Sequence, residues 1–340
     1  MAPTIKDIAR QAGVSIATVS RTINGEDGVG PETRERIQAI ARRLNYFPNL
    51  SARSLVAQKP HALGIVIPRT SEFAFSNPYY AEILKGIGEK TNESGQYLVL
   101  SFLREEDYAR MYHSCLAAGI IVLANRIEDP GVAHARKSRI PMVLIPGDPL
   151  KPDVPSVDGD NYDGVRQAIR HLAQLGHRDI ALFRGPMNSK YSIERRDAFQ
   201  QAMKKHSLPF REDWVIEYDF TQEGGYVEMK KLLALENRPT ALLLMNDFSA
   251  LGVLRAAKDS GVRVPEEVSL IGFGDVPSAS MTDPPLTTLR EPFQTMGYRA
   301  ADMLLKMIQG RRFTPKHIVL PVELVIRKSS APPPKKRRKV

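Results

Sequence analysis

Arg21 closes a run, Ser15-Ile16-Ala17-Thr18-Val19-Ser20-Arg21, that reads as a helix opened by a Ser15 cap, with Asn24 near its far end. Its outward side would carry Ala17, Thr18, Ser20 and Arg21, with Arg21 the only long cation there. A guanidinium so placed presents paired donors to guanine O6 and N7, whereas Ile16 and Ala17 offer only apolar contact suited to thymine methyls. These are the residue types of a helix that enters a DNA major groove.

A reading helix needs a second helix to hold it. Thr4, with Asp7 three residues on, marks a helix start, and Ile5, Ile8, Ala9 and Ala12 then fall on one face. Gly13 suits the turn that follows, and Ala9 and Gly13 are both small where the helices would cross. In the second helix Ile16, Val19 and Ile23 recur on one side, and residues 31–45 form a third amphipathic helix with Ile37, Ile40, Ala41 and Leu44 inward. An ordinary helical hairpin is the competing reading for residues 4–25 taken alone.

At 340 residues, 42% hydrophobic and 25% charged, the chain can bury two or three domains. It shows no membrane-length apolar run and no signal-peptide pattern. One cysteine, Cys115, excludes an internal disulfide framework and a cysteine-based zinc site. The net charge of +10 is unevenly placed, with +4 in residues 1–60, +5 in the last ten residues and +1 between them.

Beyond residue 61, apolar runs alternate with helical patterns. Residues 62–67, 97–103, 119–124, 141–145, 179–184, 240–245 and 268–273 read as buried parallel strands, which gives a doubly wound α/β architecture. Gly272-Phe273-Gly274 lacks the third glycine of a dinucleotide fingerprint, and Asp158-Gly159-Asp160 lacks later calcium ligands. His171 and His177 have no third metal ligand in view and suit capping or core roles. With neither a nucleophile-elbow motif nor a Gly-Lys-Ser/Thr phosphate loop, the chain reads as a non-enzyme with no catalytic residues, metal or cofactor.

The N-terminal segment resembles the lactose-repressor/galactose-repressor family of bacterial transcription factors. The matching residues are Thr4-Ile5-Lys6-Asp7-Ile8-Ala9, Ala12-Gly13-Val14-Ser15, Ala17-Thr18-Val19-Ser20-Arg21, Asn45-Tyr46, Pro48-Asn49 and Ala52-Arg53-Ser54-Leu55. The resemblance runs to about residue 328. It implies an all-α helix-turn-helix headpiece (1–46), a hinge segment (47–60) and a two-lobed periplasmic-binding-protein-like core (61–328). The lobe boundary would fall near Asp160, with crossings near Thr288 and Leu320. It also implies a homodimer on a pseudo-palindromic double-stranded operator. There Asn49, Ala52, Arg53 and Leu55 would join the interface, with Leu55 wedged into the minor groove.

For the cleft, the resemblance implies that Arg195 and Asn246 contact a small effector and that Phe293 packs on it. Phe75 is placed similarly in the loop after the first strand. Gly274 stands where sugar-binding relatives often carry an aspartate, leaving Asp275 as the adjacent candidate. Arg69 and Arg184 lie at strand ends beside Arg195, at what would be a cleft mouth, so the arginine surplus favours a sugar acid or another organic acid over a plain sugar. The arginines could instead pair with Glu194 and Glu291. The expected function is a repressor released from its operator by a sugar or sugar acid. A corepressor-dependent regulator is the alternative, and a receptor without DNA-binding role is the cross-class rival.

Residues 329–340 read as a linker and basic tail. Three prolines are followed by Lys335, Lys336, Arg337, Arg338 and Lys339, which resemble a viral large-T-antigen type nuclear localisation signal. On a regulator of the bacterial cytoplasm, that tail reads as an engineered fusion directed to a eukaryotic nucleus through an import receptor; added nonspecific DNA affinity is the competing reading.

Overall fold

The computed structural model describes residues 3–46, 60–102, 107–124 and 126–334, in two units divided after Pro60. The first unit holds α1 (Ile5–Ala12), α2 (Ile16–Asn24) and α3 (Pro31–Arg43). The Asp7 carboxylate accepts hydrogen bonds from the Thr4 amide at 3.0 Å and the Thr4 hydroxyl at 2.7 Å, and the hydroxyl bond above all holds its pKa below the ordinary value. Ser15 Oγ accepts the Thr18 amide at 3.1 Å and so opens α2. Ile8, Ala9, Ala12, Val19, Ile37 and Ile40 form the core of this unit.

Two expectations fail here. The inward stripe of α2 is Val19, Thr22 and Ile23, with the Thr22 hydroxyl donating to Thr18 O at 3.0 Å; Ile16, a turn ahead of that stripe at the helix start, is 46% exposed. Gly13 serves no close crossing, because a Cβ there would meet nothing within 4 Å; its φ of +66° is what calls for glycine.

The second unit opens with β1 (Ala62–Val66), α4 (Ser71–Ser76), α5 (Pro78–Glu93), β2 (Tyr97–Ser101), α6 (Asp107–His113), β3 (Ile120–Leu123), α7 (Pro130–Lys137), β4 (Met142–Ile145) and β5 (Ser156–Gly159). It continues with α8 (Asn161–Leu175), β6 (Ile180–Arg184), α9 (Lys190–Lys205), β7 (Val215–Glu217), α10 (Gln222–Leu233), β8 (Ala241–Leu244), α11 (Asp247–Asp259), β9 (Ser269–Gly274) and β10 (Thr287–Arg290). The chain then adds α12 (Phe293–Ile308), β11 (His317–Leu320) and β12 (Glu323–Val325).

Among the described residues these strands build two six-stranded sheets, β11-β5-β4-β3-β1-β2 in lobe 1 and β12-β10-β9-β8-β6-β7 in lobe 2. All pairings are parallel except β12 on β10. The chain therefore changes lobe three times: after Gly159, between Arg290 and Phe293, and between Leu320 and Glu323. Although α12 follows a lobe 2 strand, it lies on lobe 1, where Met296, Ala300 and Leu304 share a core with Ile121 and Val143.

Helices cover both faces of the central strands, so β1, β3, β4 and β8 are buried throughout. Residues 97–101 were expected to be buried too, but β2 is an edge strand with Tyr97 59% exposed. The helices α5 and α12 cross at two glycines. A Cβ on Gly86 would stand 1.8 Å from Gln294 O, and one on Gly297 would stand 2.1 Å from Ile83 O.

Residues 329–331 are part of lobe 2 rather than a linker, which corrects the boundary at 328. Because β10 starts opposite Ile271, the first residues of β9 have backbone groups to spare. Ser329 takes them: its carbonyl accepts the Leu270 amide and its hydroxyl donates to Leu270 O, both at 2.7 Å. The Ala331 amide donates to Ser269 Oγ at 3.0 Å, and the buried His177 ring lies 2.8 Å from Ala331 O.

Candidate functional site

On α2, Ser15, Ile16, Ala17 and Arg21 are exposed, while Thr18 and Ser20 are partly buried. The Ser15 and Thr18 hydroxyls are 2.8 Å apart, so each already has a partner in the cap. Arg21 is thus presented on a helix whose first turn is fixed by its own side chains. The side chain of Asn24 lies outside the described residues, as do Asn49, Ala52, Arg53, Leu55, Lys335, Lys336, Arg337, Arg338 and Lys339.

In the second unit a cavity of about 1050 Å³ lies between the two lobes. Arg69, Tyr79, Tyr80, Phe73, Phe102 and Arg126 line it from lobe 1. Tyr191, Ser192, Arg195, Phe220, Asn246 and Asp247 line it from lobe 2, with Glu291 and Phe293 at the crossover between β10 and α12. Aromatic faces with a few convergent polar groups are the make-up of a small-molecule site.

Arg195 is the fixed centre of the lobe 2 wall. Its Nε donates to Asn161 Oδ1 and its Nη1 to Met245 O, both at 2.6 Å, and Nη2 donates to Glu291 Oε2 at 2.9 Å. The guanidinium carbon lies 3.4 Å from the centre of the Phe273 ring and 4.7 Å from that of Tyr191. Arg195 is 4% exposed, which corrects its expected place at a cleft mouth. A side chain held by three hydrogen bonds on α9 faces the cavity from a buried seat. Burial raises the Glu291 pKa, and Arg195 opposes that rise.

Tyr79 Oη, Tyr191 Oη, Ser192 Oγ and Glu291 Oε1 are buried without a hydrogen-bond partner, and all four residues line this cavity. The Tyr191 hydroxyl lies close enough to the Glu291 carboxylate to act as a donor that favours its charged form, though the pair falls short of full hydrogen-bond geometry. Each such atom costs about 1–3 kcal/mol if left unpaired. Burial pushes both phenols well above their ordinary pKa, so they are neutral donors at pH 7. Four orphaned polar atoms around one cavity are what a polar ligand would satisfy.

Of the other expected cleft residues, Arg69 lines the cavity, as does Phe293, whose ring packs edge-on to Tyr79 with centroids 5.1 Å apart. Asn246 also lines it while capping α11 through Oδ1 to the Ser249 amide at 2.9 Å. Phe75 does not: it is 72% exposed, and its ring leans on Phe102 from outside. On a helix, positions 73 and 75 face opposite ways, and Phe73 holds the inner one. Asp275 is likewise outside the wall, its carboxylate taken by Arg290 at 2.7 Å and Arg327 at 2.6 Å. Arg184 is paired with Glu217 and also lies outside the wall.

Sequence reasoning missed Tyr79, Tyr191, Ser192 and Asp247, and met Glu291 only as a possible arginine partner. One local signal was available for Tyr79. It follows an Asn-Pro helix start, in which Asn77 Oδ1 accepts the Tyr79 amide at 3.1 Å. That start fixes the first turn of α5 beside the end of β1.

A helix-turn-helix unit joined to a two-lobed core with a polar–aromatic cleft defines a ligand-responsive DNA-binding regulator. Residues 4–49 match bacterial regulatory proteins of the lacI family, and residues 169–330 match a periplasmic binding protein-like domain. The HTH-type transcriptional regulator CelR of Thermobifida fusca is 33% identical over 334 residues, covering 96% of this chain and 98% of that protein. The HTH-type transcriptional repressor PurR of Escherichia coli O1:K1 / APEC is 34% identical over 335 residues, covering 96% and 97%. Among solved structures, a CelR–cellobiose complex shares 31% identity at a TM-score of 0.74, covering 96% of this chain and 99% of that one. The lac repressor dimer bound to operator and the anti-inducer ONPF shares 28% at a TM-score of 0.85, covering 97% and 100%. The chain belongs to the lacI family of bacterial regulatory proteins, and its function is ligand-responsive, DNA-binding transcriptional repression.

Proposed function

We propose that the chain acts as a homodimer whose paired α2 helices read a pseudo-palindromic operator, and that a sugar or sugar acid in the cleft releases it. Ser15, Ile16, Ala17, Thr18, Ser20, Arg21 and Asn24 form the groove-reading surface, with Arg21 on a guanine edge. Asn49, Ala52, Arg53 and Leu55 complete the interface, Leu55 as a minor-groove wedge at a flexible central step. The effector is held by Arg69, Arg195, Asn246 and Phe293, together with Tyr79, Tyr191, Ser192 and Glu291.

The observation that carries this reading is the set of four orphaned polar atoms in one inter-lobe cavity. The cellobiose in the CelR complex supports a carbohydrate-like effector. The lac repressor dimer supports the homodimer, as do the exposed Tyr97, Leu98 and Leu100 on β2. Lys335, Lys336, Arg337, Arg338 and Lys339 would be read by a nuclear import receptor, which makes the tail an engineered address on a regulator of the bacterial cytoplasm. The compositional break at residue 331 supports that reading.

Selection of bound sequences from a random duplex pool tests the DNA-binding part. An enriched pseudo-palindrome is the expected result, and enrichment of no sequence would contradict it. Sedimentation of the protein–operator complex reports two chains per site if the dimer is right. A reporter with and without residues 335–340 in eukaryotic cells tests the tail by its nuclear fraction.

A further inference from the structure

The arginines near the cleft differ in how their charge is met. Arg184 pairs with Glu217 outside the cavity, and Arg195 is matched by the buried Glu291. Arg69 is different. It follows β1, is partly buried in the lobe 1 wall, and donates from Nη1 to the carbonyl of its neighbour Pro68 at 2.7 Å. Among the described residues no carboxylate forms an ion pair with it; the titratable groups acting on it are Arg126 and the phenols of Tyr79, Tyr80 and Tyr108. Burial first, and then the like charge of Arg126, press its pKa down. Among the described residues this cation has no ion-pair partner, and its Nε and Nη2 edge carries no hydrogen bond, which suits a two-point contact.

Among the described residues none of the carboxylates on the opposite wall forms an ion pair with Arg69. Glu291 is spent on Arg195, and Asp247 accepts from the Thr288 hydroxyl at 2.6 Å and the Val276 amide at 3.1 Å. Asp219, exposed at the rim, accepts from Thr221 as it starts α10. What this wall offers are single unpaired atoms, Tyr191 Oη, Ser192 Oγ and Glu291 Oε1. Hydroxyl groups, which both donate and accept, match that set.

We infer that the cleft takes a hydroxylated small anion in one orientation, with its carboxylate or phosphate on Arg69 of lobe 1 and its hydroxyl-bearing end on Glu291, Tyr191 and Ser192. This rests on reading the cleft as the effector site and narrows the effector's chemistry. The anion supplies Arg69 with an ion-pair partner, and the hydroxyls supply partners for the unpaired atoms of the other wall. A neutral sugar would leave Arg69 desolvated and unpaired, so it is disfavoured relative to its own acid.

The test is calorimetric titration and thermal shift of the full chain with matched probes: D-glucose, D-gluconate and D-glucose 6-phosphate; cellobiose and cellobionate; D-galactose and D-galacturonate. At least one anionic probe is expected to bind while its neutral parent binds at least roughly tenfold more weakly. Gluconate against glucose 6-phosphate separates a carboxylate head from a phosphate head. Arg69→Leu should weaken the anionic probe by roughly tenfold or more, and Arg69→Lys, which keeps the charge without the fork, should retain part of the affinity. The inference is overturned if a neutral sugar binds as well as its acid, if every anionic probe is silent at about 10 mM, or if Arg69→Leu holds anion affinity within about twofold. Should Arg69→Leu fail to melt cooperatively, the wild-type acid-to-neutral ratio and Arg69→Lys decide. Operator release by a neutral sugar alone would remove this inference and leave the regulator reading intact. Absence of any specific DNA binding by the unliganded wild type would instead remove the regulator reading.

Discussion

Glu291 Oε2 lies 2.9 Å from Arg195 Nη2, and the two side chains are 2% and 5% exposed. The pair ties α9 of lobe 2 to the crossover that carries the chain back to lobe 1. Gly159, at the first crossover, makes room for it, since a Cβ there would stand 2.9 Å from Glu291 Oε1. Arg195→Ala leaves a buried carboxylate without its cation and should cost about 3–5 kcal/mol of stability. Removing both charges in Arg195→Met/Glu291→Leu should cost clearly less. Urea unfolding at pH 7 measures both, and equal losses would show that the charges are not coupled.

Asp247 gives a pH signature. Burial raises its pKa from 3.8 to about 6 in the folded protein, even though its bonds from Thr288 and Val276 favour the charged form. The folded state therefore holds this proton more tightly than the unfolded chain, so stability falls as pH rises from about 4 to about 6, by up to about 3 kcal/mol. Glu291 titrates with the same sign, and His177, whose pKa burial lowers, with the opposite one. Subtracting the profile of Asp247→Asn from that of the wild type cancels both. A pH-independent difference between the two proteins would contradict the assignment.

Gly297 tests the helix crossing that seats Phe293 beside Tyr79. A Cβ there meets backbone atoms of α5, which cannot rotate away as a side chain would. Gly297→Ala should lower stability by at least about 1–3 kcal/mol, the range for an overpacked core. An unchanged melting temperature would mean that the helices separate freely at this point.

Much of this molecule was legible because periodicity reports burial. The runs at 62–67, 119–124 and 240–245 fold as β1, β3 and β8, and Ser15 caps α2 as its type suggests. Strands that carry polar residues escaped: in Ser156-Val157-Asp158-Gly159 the buried Asp158 is met by Lys190 at 2.5 Å, Ser156 at 2.8 Å and the Gly147 amide at 3.1 Å. β2 misled in the other direction, since an apolar run does not say which strand lies at an edge. Of the residues expected to hold an effector, Arg69, Arg195, Asn246 and Phe293 line the cavity. Phe75 lies outside because its helix turns Phe73 inward instead, and Asp275 because Arg290 and Arg327 hold its carboxylate.

Arg21→Ala should weaken operator binding by about 1–3 kcal/mol and relax preference at one position of each half-site. Binding to scrambled DNA should change much less. Fluorescence anisotropy against a panel of single-base operator variants reads this directly, and a uniform loss across the panel would make Arg21 a phosphate contact instead.

The central claim is that one chain couples a cleft ligand to DNA through two states. Linkage requires the factor by which ligand changes operator affinity to equal the factor by which operator changes ligand affinity. The decisive measurement is therefore a paired titration at one salt concentration, operator with and without saturating ligand, and ligand with and without saturating operator. Reciprocal factors of roughly 5–150, with ligand weakening the operator complex, are the predicted result. Operator affinity unmoved by a ligand that demonstrably occupies the cleft would contradict it.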